Sequence, residues 1–292
     1  MSDKQLYRAA GTLANGPWAL DLSQQEAGWA WSSLRILALG AGETCTFGTD
    51  EDEVLVLPLS GSCTVASGDQ RHALTGRSGV FSGEVSDFVY APPSSTLVVT
   101  SAAGGRFAVP GARAKARFPF RYQAAEGVPV ELRGAGSCSR RVTNFCTPEV
   151  FEADRLIVCE VFTPAGNWSS YPPHKHDEER PGETALEEIY YFEVADGPGG
   201  AGVAYQRVYG TSDRPVDLLA EVRSGDVVVI PHGWHGPSMA APGYDLYYLN
   251  VMAGPGRRAW LICDDPAHGW VRGTWVGQEV DPRVALAPGA VK

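Results

Sequence analysis

Four of the six histidines in this 292-residue chain fall in two short clusters, at positions 173–177 (Pro-His-Lys-His-Asp) and 231–235 (Pro-His-Gly-Trp-His). His174 and His176 stand two residues apart, and on a β-strand such side chains point to the same face with Cα atoms roughly 6–7 Å apart. Two imidazoles placed in this way can share one metal ion. Lys175 between them then points to the opposite face. The pattern therefore predicts a metal site.

A third ligand is expected from the next β-rich run, which opens with Glu187 and Glu188. One of these carboxylates faces the side of the histidine pair, because strand side chains alternate. A fourth ligand is available from His232 or His235, after the apolar run 227–230. The spacing leaves both choices open. Nitrogen and oxygen ligands with one open coordination position are typical of catalytic metal sites.

The elements that must position these side chains are short β-strands. Glycine and proline together account for 55 of the 292 residues, well above the roughly 12% of an average protein. No long amphipathic helix pattern is present. The spacing predicts an all-β protein of antiparallel strands in sandwiches or barrels. The β-rich runs lie at 35–39, 53–57, 62–66, 96–100, 156–162, 189–194, 226–230 and 244–251.

The two halves of the chain contain similar sequence features in the same order. A strand ending in a glycine turn is followed by an apolar run, 53–61 then 96–100 in the first half and 188–197 then 246–251 in the second. The first half has no histidine at the matching positions, so we expect a degenerate barrel without metal ligands that packs against the other barrel or builds a dimer. The predicted domains are residues 1–125 and residues 126–292, joined within 118–141.

The acidic composition of the chain argues against nucleic acid and membranes as binding partners. The chain has 34 acidic and 24 basic residues, a net charge of −10 and a pI near 5.1. Such a chain is a poor binder of nucleic acid or of an anionic membrane, and no run approaches the ~18 apolar residues that span a bilayer. The six cysteines form no CxxC pair, and residues 1–5 carry no apolar signal segment. We therefore expect a cytoplasmic protein with reduced thiols and no nucleic-acid or membrane partner.

The two histidine clusters resemble the paired motifs of the cupin superfamily, G-x5-HxH-x3–4-E-x6-G and G-x5-PxG-x2-H-x3-N. The chain departs from this pattern because eleven residues separate the HxH pair from its glutamate, and the second motif is one residue shorter before its histidine. The matching positions are His174, His176 and Glu188 for the first motif, and Gly225, Pro231, Gly233 and His235 for the second.

With these departures, the sequence resembles the 5-deoxy-glucuronate isomerases of inositol breakdown. The likeness runs from about Cys138 to Trp270 and is carried by 169–178, 186–192, 206–209, 225–231 and 241–254. It implies a bicupin fold and conversion of a small sugar acid, 5-deoxy-D-glucuronate, to 2-deoxy-5-keto-D-gluconate. It also implies one divalent metal ion, with zinc preferred to manganese or iron, held by His174, His176, Glu188 and His235.

Such an isomerase must stabilise an enediolate and move a proton. It must also bind the carboxylate of its substrate, for which the planar guanidinium of arginine is well suited. Arg207 is preferred among the arginines because it lies in a β run close to the motifs. The candidates for proton transfer are Glu160, Tyr190, Tyr248 and Glu178, and those for carboxylate binding are Arg207, Arg141 and Arg223.

The polar insert 177–187 is predicted to form a lid over the open metal position, and the chain is expected to form a homo-oligomer. Two other functions fit the same ligands. One is a cupin dioxygenase that uses Fe(II), which oxygen consumption would reveal. The other is a non-catalytic bicupin that binds sugar acids tightly without turnover.

Overall fold

A computed structural model describes residues 6–285; residues 1–5, where no signal segment is expected, and residues 286–292 lie outside it. The elements of the first half are β1 (Tyr7–Arg8), β2 (Trp18–Leu22), α1 (Gln24–Ala27), β3 (Ser32–Leu39), β4 (Thr44–Gly48), β5 (Asp52–Ser67), β6 (Gln70–Arg77), β7 (Phe88–Ala91), β8 (Thr96–Thr100), β9 (Gly105–Arg113) and β10 (Arg121–Gln123). Those of the second half are β11 (Val130–Arg133), β12 (Arg140–Asn144), β13 (Ile157–Thr163), β14 (Trp168–Ser169), β15 (His174–Lys175), β16 (Glu187–Val194), β17 (Ala204–Tyr209), β18 (Asp217–Val222), β19 (Val227–Ile230), β20 (Trp234–Ala240), β21 (Leu246–Ala253), β22 (Cys263–Asp264) and α2 (Val271–Thr274).

Strand β5 organises the first half. Its 16 residues pair antiparallel with β7 and β9 along their first part and with β6 and β8 along their second. The register with β9 shifts between Pro58 and Ser60. A bulge of this kind bends a long strand, so that β5 contributes to two walls of one barrel. The sheet order is β10-β7-β5-β9-β3-β2, with β4 paired to β8.

The second half contains two sheets that enclose the predicted site. The larger sheet has the order β1-β19-β16-β21-β13-β12-β11, and the smaller has the order β18-β17-β20-β15-β22 with β14 beside β20. One face of the larger sheet packs toward the smaller sheet and the other toward the first half, in one shared hydrophobic core. Every residue of β21, and every residue of β16 after the first, is buried. This explains why these strands read as continuous apolar and aromatic runs.

Contacts between the halves are specific as well as apolar. The Glu53 carboxylate of β5 accepts backbone N–H bonds from Asp154, Arg155 and Leu156 at 2.9, 2.6 and 2.8 Å. Strand β1 pairs with β19 of the second half. The other strands divide at 123–130, so a domain boundary near residue 125 remains our proposal, with β1 crossing it.

The all-β prediction is confirmed, since the helices within residues 6–285 are α1, α2 and three 3₁₀ turns. None of the helices in this part of the chain is long and apolar enough to cross a membrane. All six cysteines are free thiols.

Candidate active site

Strands β15 and β20 bring the two histidine clusters together. His174 and His235 lie directly opposite each other in this antiparallel pair, and their ring centroids are 4.5 Å apart. The ring of His176, just beyond β15, is 4.8 Å from that of His235. The possible ligand atoms of the three side chains all lie within 4.8 Å of one another. This group can hold a metal ion.

Glu188 of β16 completes the cluster. Its Oε2 lies 3.1 Å from His176 Nε2 and 3.0 Å from His235 Nε2. Burial alone would raise the pKa of this carboxyl, but the two imidazoles outweigh it and hold the pKa at about 2. Glu188 is therefore a buried carboxylate at neutral pH, which is the form that binds a metal ion.

Strand alternation separates the two neighbouring glutamates. Because Glu188 faces the interior of the second half, Glu187 points toward the first half. There its carboxylate accepts backbone N–H bonds from Ala30, Trp31 and Ser32 at 2.9, 2.9 and 3.1 Å. Glu187 thus has a structural contact of its own and lies outside the cluster.

The two candidate histidines of the second motif are separated in the same way. His235 is 1% exposed and lies in the cluster, whereas His232 is only half-buried and lies beside Asp177 and Arg214. The structure therefore brings together His174, His176, Glu188 and His235, and leaves Glu187 and His232 apart.

The hydrogen bonds of the imidazoles fit a metal centre. His235 Nδ1 is 3.2 Å from the Gly233 carbonyl oxygen, and His174 Nδ1 is 3.4 Å from that of Pro172. Donation from Nδ1 leaves the lone pair of Nε2 free to bind a metal. His235 Nε2 is buried and faces the Glu188 carboxylate. Burial and the neighbouring rings hold the pKa of His174 well below its usual value, so this imidazole is neutral.

A cavity of about 600 Å³ adjoins the cluster. It runs along the inner face of the larger sheet and is closed on one side by the chain that follows β21. Its lining residues are Glu131, Leu132, Arg133, Gly134, Arg140, Val142, Val161, Ser170, His174, Glu188, Tyr190, Tyr248, Asn250, Trp260, Ile262, Asp264, Arg272 and Trp275.

Two of the predicted catalytic residues, Tyr190 and Tyr248, line this cavity. Their hydroxyls lie 2.9 and 3.0 Å from the Ser170 hydroxyl, which links them. Burial and the Glu188 carboxylate raise the pKa of Tyr190 well above its usual value. Burial likewise raises the pKa of Tyr248. Both are neutral phenols at physiological pH.

Arg140 is a cavity residue that the sequence analysis missed. It is 7% exposed, and no carboxylate among the described residues lies within ion-pair distance of it, whereas Arg133 pairs with Glu131 at 2.9 Å and Arg272 with Asp264 at 2.5 Å. Burial, together with the charges of Arg133 and Arg272, lowers the pKa of Arg140 to about 10. A buried cation without an anion is suited to bind one from a ligand.

Glu160, a third predicted catalytic residue, lies on the other face of the sheet. Its carboxylate forms a two-pronged ion pair with Arg77 of β6, at 2.9 and 2.7 Å. Neither side chain lines the cavity. Glu160 follows Cys159 and precedes Val161 on β13, and since Val161 faces the cavity, Glu160 must face the first half. Glu178 is also absent from the cavity and lies half-exposed beside Lys175 and Arg180.

The three predicted carboxylate binders are likewise not brought to the cavity. Arg207 pairs with Asp217 on the neighbouring strand, and Arg223 pairs with Glu221 at 2.6 Å. Arg141 points to the outer face of β12, where it donates to the carbonyls of residues 284 and 285. Arg207 was the preferred prediction, and the alternative Arg141 is adjacent to Arg140, which shares its strand but faces the other way.

The insert 177–187 does not form the predicted lid, since none of residues 177–187 lines the cavity. Lys175 points away from the cluster, as expected, and binds Asp177 and Glu183 at 2.6 and 2.7 Å. Thr184 donates to the Ala259 carbonyl. The insert is therefore held by Lys175 on one side and by the chain that follows β21 on the other.

Comparison with known proteins gives the family. The KduI/IolB family model matches residues 6–271. The chain belongs to the KduI/IolB family. Two relatives carry the name 5-deoxy-glucuronate isomerase. The one from Geobacillus kaustophilus is 41% identical over 252 residues, with 86% of this chain and 89% of the relative covered. The one from Bacillus subtilis strain 168 is 37% identical over 240 residues, with 82% and 86% covered.

Solved structures agree with this KduI/IolB assignment. The crystal structure of an IolB-like protein from Salmonella typhimurium LT2 is 35% identical, with a TM-score of 0.84 and coverage of 91% of this chain and 98% of that one. A mutant of Bacillus subtilis oxalate decarboxylase is 12% identical, with a TM-score of 0.64 and coverage of 90% and 80%, and so shares the fold alone. The predicted family and the bicupin fold are confirmed.

Proposed function

We propose that this chain is a metal-dependent aldose–ketose isomerase that converts 5-deoxy-D-glucuronate to 2-deoxy-5-keto-D-gluconate. One observation carries the proposal: a single cavity is lined by His174 and Glu188 of the cluster and by Arg140, which has no ion-pair partner among the described residues. A sugar acid with an aldehyde at one end and a carboxylate at the other matches this arrangement. The names of the KduI/IolB relatives supply the particular substrate.

His174, His176, His235 and Glu188 would hold one divalent metal ion. When bound, the ion supplies Lewis-acid stabilisation of the negative charge that develops on the substrate oxygens. Imidazoles with one carboxylate suit zinc, iron and manganese. Zinc is our first choice, and elemental analysis of the purified protein decides it.

Tyr190 and Tyr248 are the residues that we assign to the proton transfer between the substrate oxygens. Aldose–ketose isomerisation moves one hydrogen between C1 and C2 and one between their oxygens. Because Tyr190 is a neutral phenol beside Glu188, its hydroxyl donates to a substrate oxygen as negative charge grows there. Ser170 bridges the two tyrosine hydroxyls and can pass a proton between them.

Arg140 is the residue that we assign to the substrate carboxylate. Its guanidinium donates one bond to the Cys138 carbonyl at 3.0 Å and packs on the Trp275 ring, which leaves other N–H groups for a ligand. Arg133 and Arg272 line the same cavity, each in an ion pair with a carboxylate. The aldehyde of the substrate then lies toward the histidines.

The direct test is conversion of 5-deoxy-glucuronate followed by NMR, with metal-loaded and chelator-treated protein in parallel. We expect the ketone product only with metal, and a Tyr190→Phe variant that keeps its metal but loses most of kcat. Product formation that survives complete metal removal would overturn the metal-dependent mechanism. Oxygen uptake without ketone formation would instead identify an oxygenase.

Two predictions from the sequence accompany this proposal. The homo-oligomer is measurable by light scattering of the purified protein. The cytoplasmic location is measurable by fractionation of the source cell.

A further inference from the structure

The inner face of the larger sheet presents its side chains in rows, because directly opposed residues on neighbouring antiparallel strands point the same way. One row contains Arg140 of β12 beside Arg133 of β11. Two residues further along β12, Val142 lies beside Val161 of β13, and Val161 lies beside Tyr248 of β21. The wall thus changes from cationic to apolar within one step along β12.

The next row is polar. It contains Asn144, Cys159, Asn250 and Tyr190, each directly opposite the next. Glu188 lies two residues from Tyr190 on β16, in the row after that. Rows two residues apart are about 6.6–6.8 Å apart. A ligand that extends from Arg140 to the histidines therefore crosses the two valines before it reaches Asn250.

The side chains of Val142 and Val161 offer no hydrogen-bonding group. Val142 and Val161 line the cavity and are 2% and 6% exposed. They stand between two polar residues of the same row that have partners of their own, Tyr248 with its hydroxyl 3.0 Å from Ser170 and Glu131 paired with Arg133. A ligand hydroxyl buried against the valines would lose its bonds to water without replacement, which is unfavourable.

Asn250 has the opposite character. Its side chain is 3% exposed, lines the cavity, and its Nδ2 has no hydrogen-bond partner among the described residues. Its Oδ1 lies 3.9 Å from the Cys159 thiol, which donates to it. An oxygen of a ligand is the acceptor that this amide lacks.

We propose that Val142 and Val161 form a specificity subsite that selects a methylene group next to the substrate carboxylate. The choice of substrate rests on the proposed function. With its carboxylate at Arg140, 5-deoxy-glucuronate places its C5 methylene against the valines and a hydroxyl of the following carbons at Asn250. Glucuronate differs only by a hydroxyl at C5, which would be buried against the valines. The subsite therefore recognises a missing hydroxyl.

The test uses binding, so that it does not depend on turnover. Reducing the aldehydes of 5-deoxy-glucuronate and glucuronate gives two open-chain alcohols that cannot isomerise and that differ by the one hydroxyl. Calorimetry on the metal-loaded protein should show the deoxy compound binding about a hundredfold more tightly, the discrimination typical of an apolar pocket against an added hydroxyl.

Variants locate the effect. Val161→Thr supplies a hydroxyl partner within the subsite, and should reduce the preference about fivefold to tenfold, as expected for one added hydrogen bond. Val158→Thr is the matched control, since Val158 is buried on the opposite face of the same strand. It should leave the preference unchanged, even where it lowers the melting temperature.

The outcomes separate the inference from the proposed function. Equal binding of the two alcohols to the native protein, or equal effects of the two variants on the preference, would overturn the subsite. Selective binding of the deoxy alcohol by a protein that does not convert 5-deoxy-glucuronate would support the subsite and refute the isomerase.

Discussion

Replacing Arg140 with methionine should make the protein more stable and less active. Arg140 is 7% exposed and its guanidinium has no carboxylate partner in the described chain. A buried charge without a counter-ion destabilises the fold, and methionine fills a similar volume without that charge. The same guanidinium is proposed to bind the substrate carboxylate, so the two effects should appear together in one variant.

The size of each effect follows from the surroundings of Arg140. The fold lowers the pKa of Arg140 from 12.5 to about 10, which at about 1.4 kcal/mol per pH unit makes the charged form roughly 3 kcal/mol less favourable than in water. Because the folded pKa is the lower one, this cost is present at neutral pH and disappears only above the unfolded value near 12.5. Losing the contacts with Trp275 and the Cys138 carbonyl offsets about 1–2 kcal/mol. The net gain is about 1–2 kcal/mol, or roughly 2–5 °C in Tm.

The kinetic effect is larger and opposite in sign. Truncating one partner of a buried hydrogen-bonded charge pair costs about 2–4 kcal/mol, which is about 30-fold to 1,000-fold in kcat/KM. Arg140→Lys keeps the charge, so it should show no gain in Tm and a smaller loss of kcat/KM. Thermal unfolding and steady-state kinetics on the three proteins measure both effects. A methionine variant with reduced Tm and unchanged kcat/KM would show that Arg140 is a structural residue.

Four further variants test the other assignments. His235→Ala should lose the metal measured by elemental analysis together with the activity, and a full equivalent of metal in this variant would contradict the ligand set. Arg77→Met should lower the free energy of unfolding in urea by about 3–5 kcal/mol, because Glu160 is left buried and unpaired. The kcat of the folded variant should be unchanged. A loss of kcat at normal stability would instead show that Glu160 takes part in catalysis. Glu187→Gln should lower the stability by about 1–3 kcal/mol, because it weakens the bonds to the first half, and should keep the metal. Glu188→Gln should lose the metal. Equal metal loss in both variants would refute the assignment of Glu188 as a ligand and of Glu187 as a structural residue.

The metal cluster was largely predictable from the sequence, because its signal is local. His174 and His176 share a face on any strand, whatever sheet that strand joins. His235 joins them only because β15 pairs with β20. The sequence gives no direct sign of this pairing beyond a second histidine cluster after an apolar run. The family resemblance then favoured Glu188 over Glu187 and His235 over His232, and the geometry supports both choices.

The residues that line the cavity were not predictable for a physical reason. The larger sheet is covered on both faces, so its strands show no alternation of polar and apolar residues. Without that alternation, the sequence does not reveal which residues of β12 or β13 face the cavity. Arg141 was considered as an alternative to Arg207 whereas Arg140 was not, and Glu160 was proposed as catalytic although it faces away from the cavity, because these strands carry polar side chains on both faces.

Because the sheet is used on both faces, the first half of the chain also contributes to the position of the cluster. The outer face of β13, β16 and β21 carries residues that need partners in the first half, among them Glu160 and Glu187. The inner face of the same strands carries Glu188, Tyr190 and Tyr248. Because neighbouring residues alternate between the faces, holding Glu187 against the backbone of residues 30–32 also fixes the start of β16 and hence the position of Glu188. The first half therefore supports the metal cluster without providing a ligand to it.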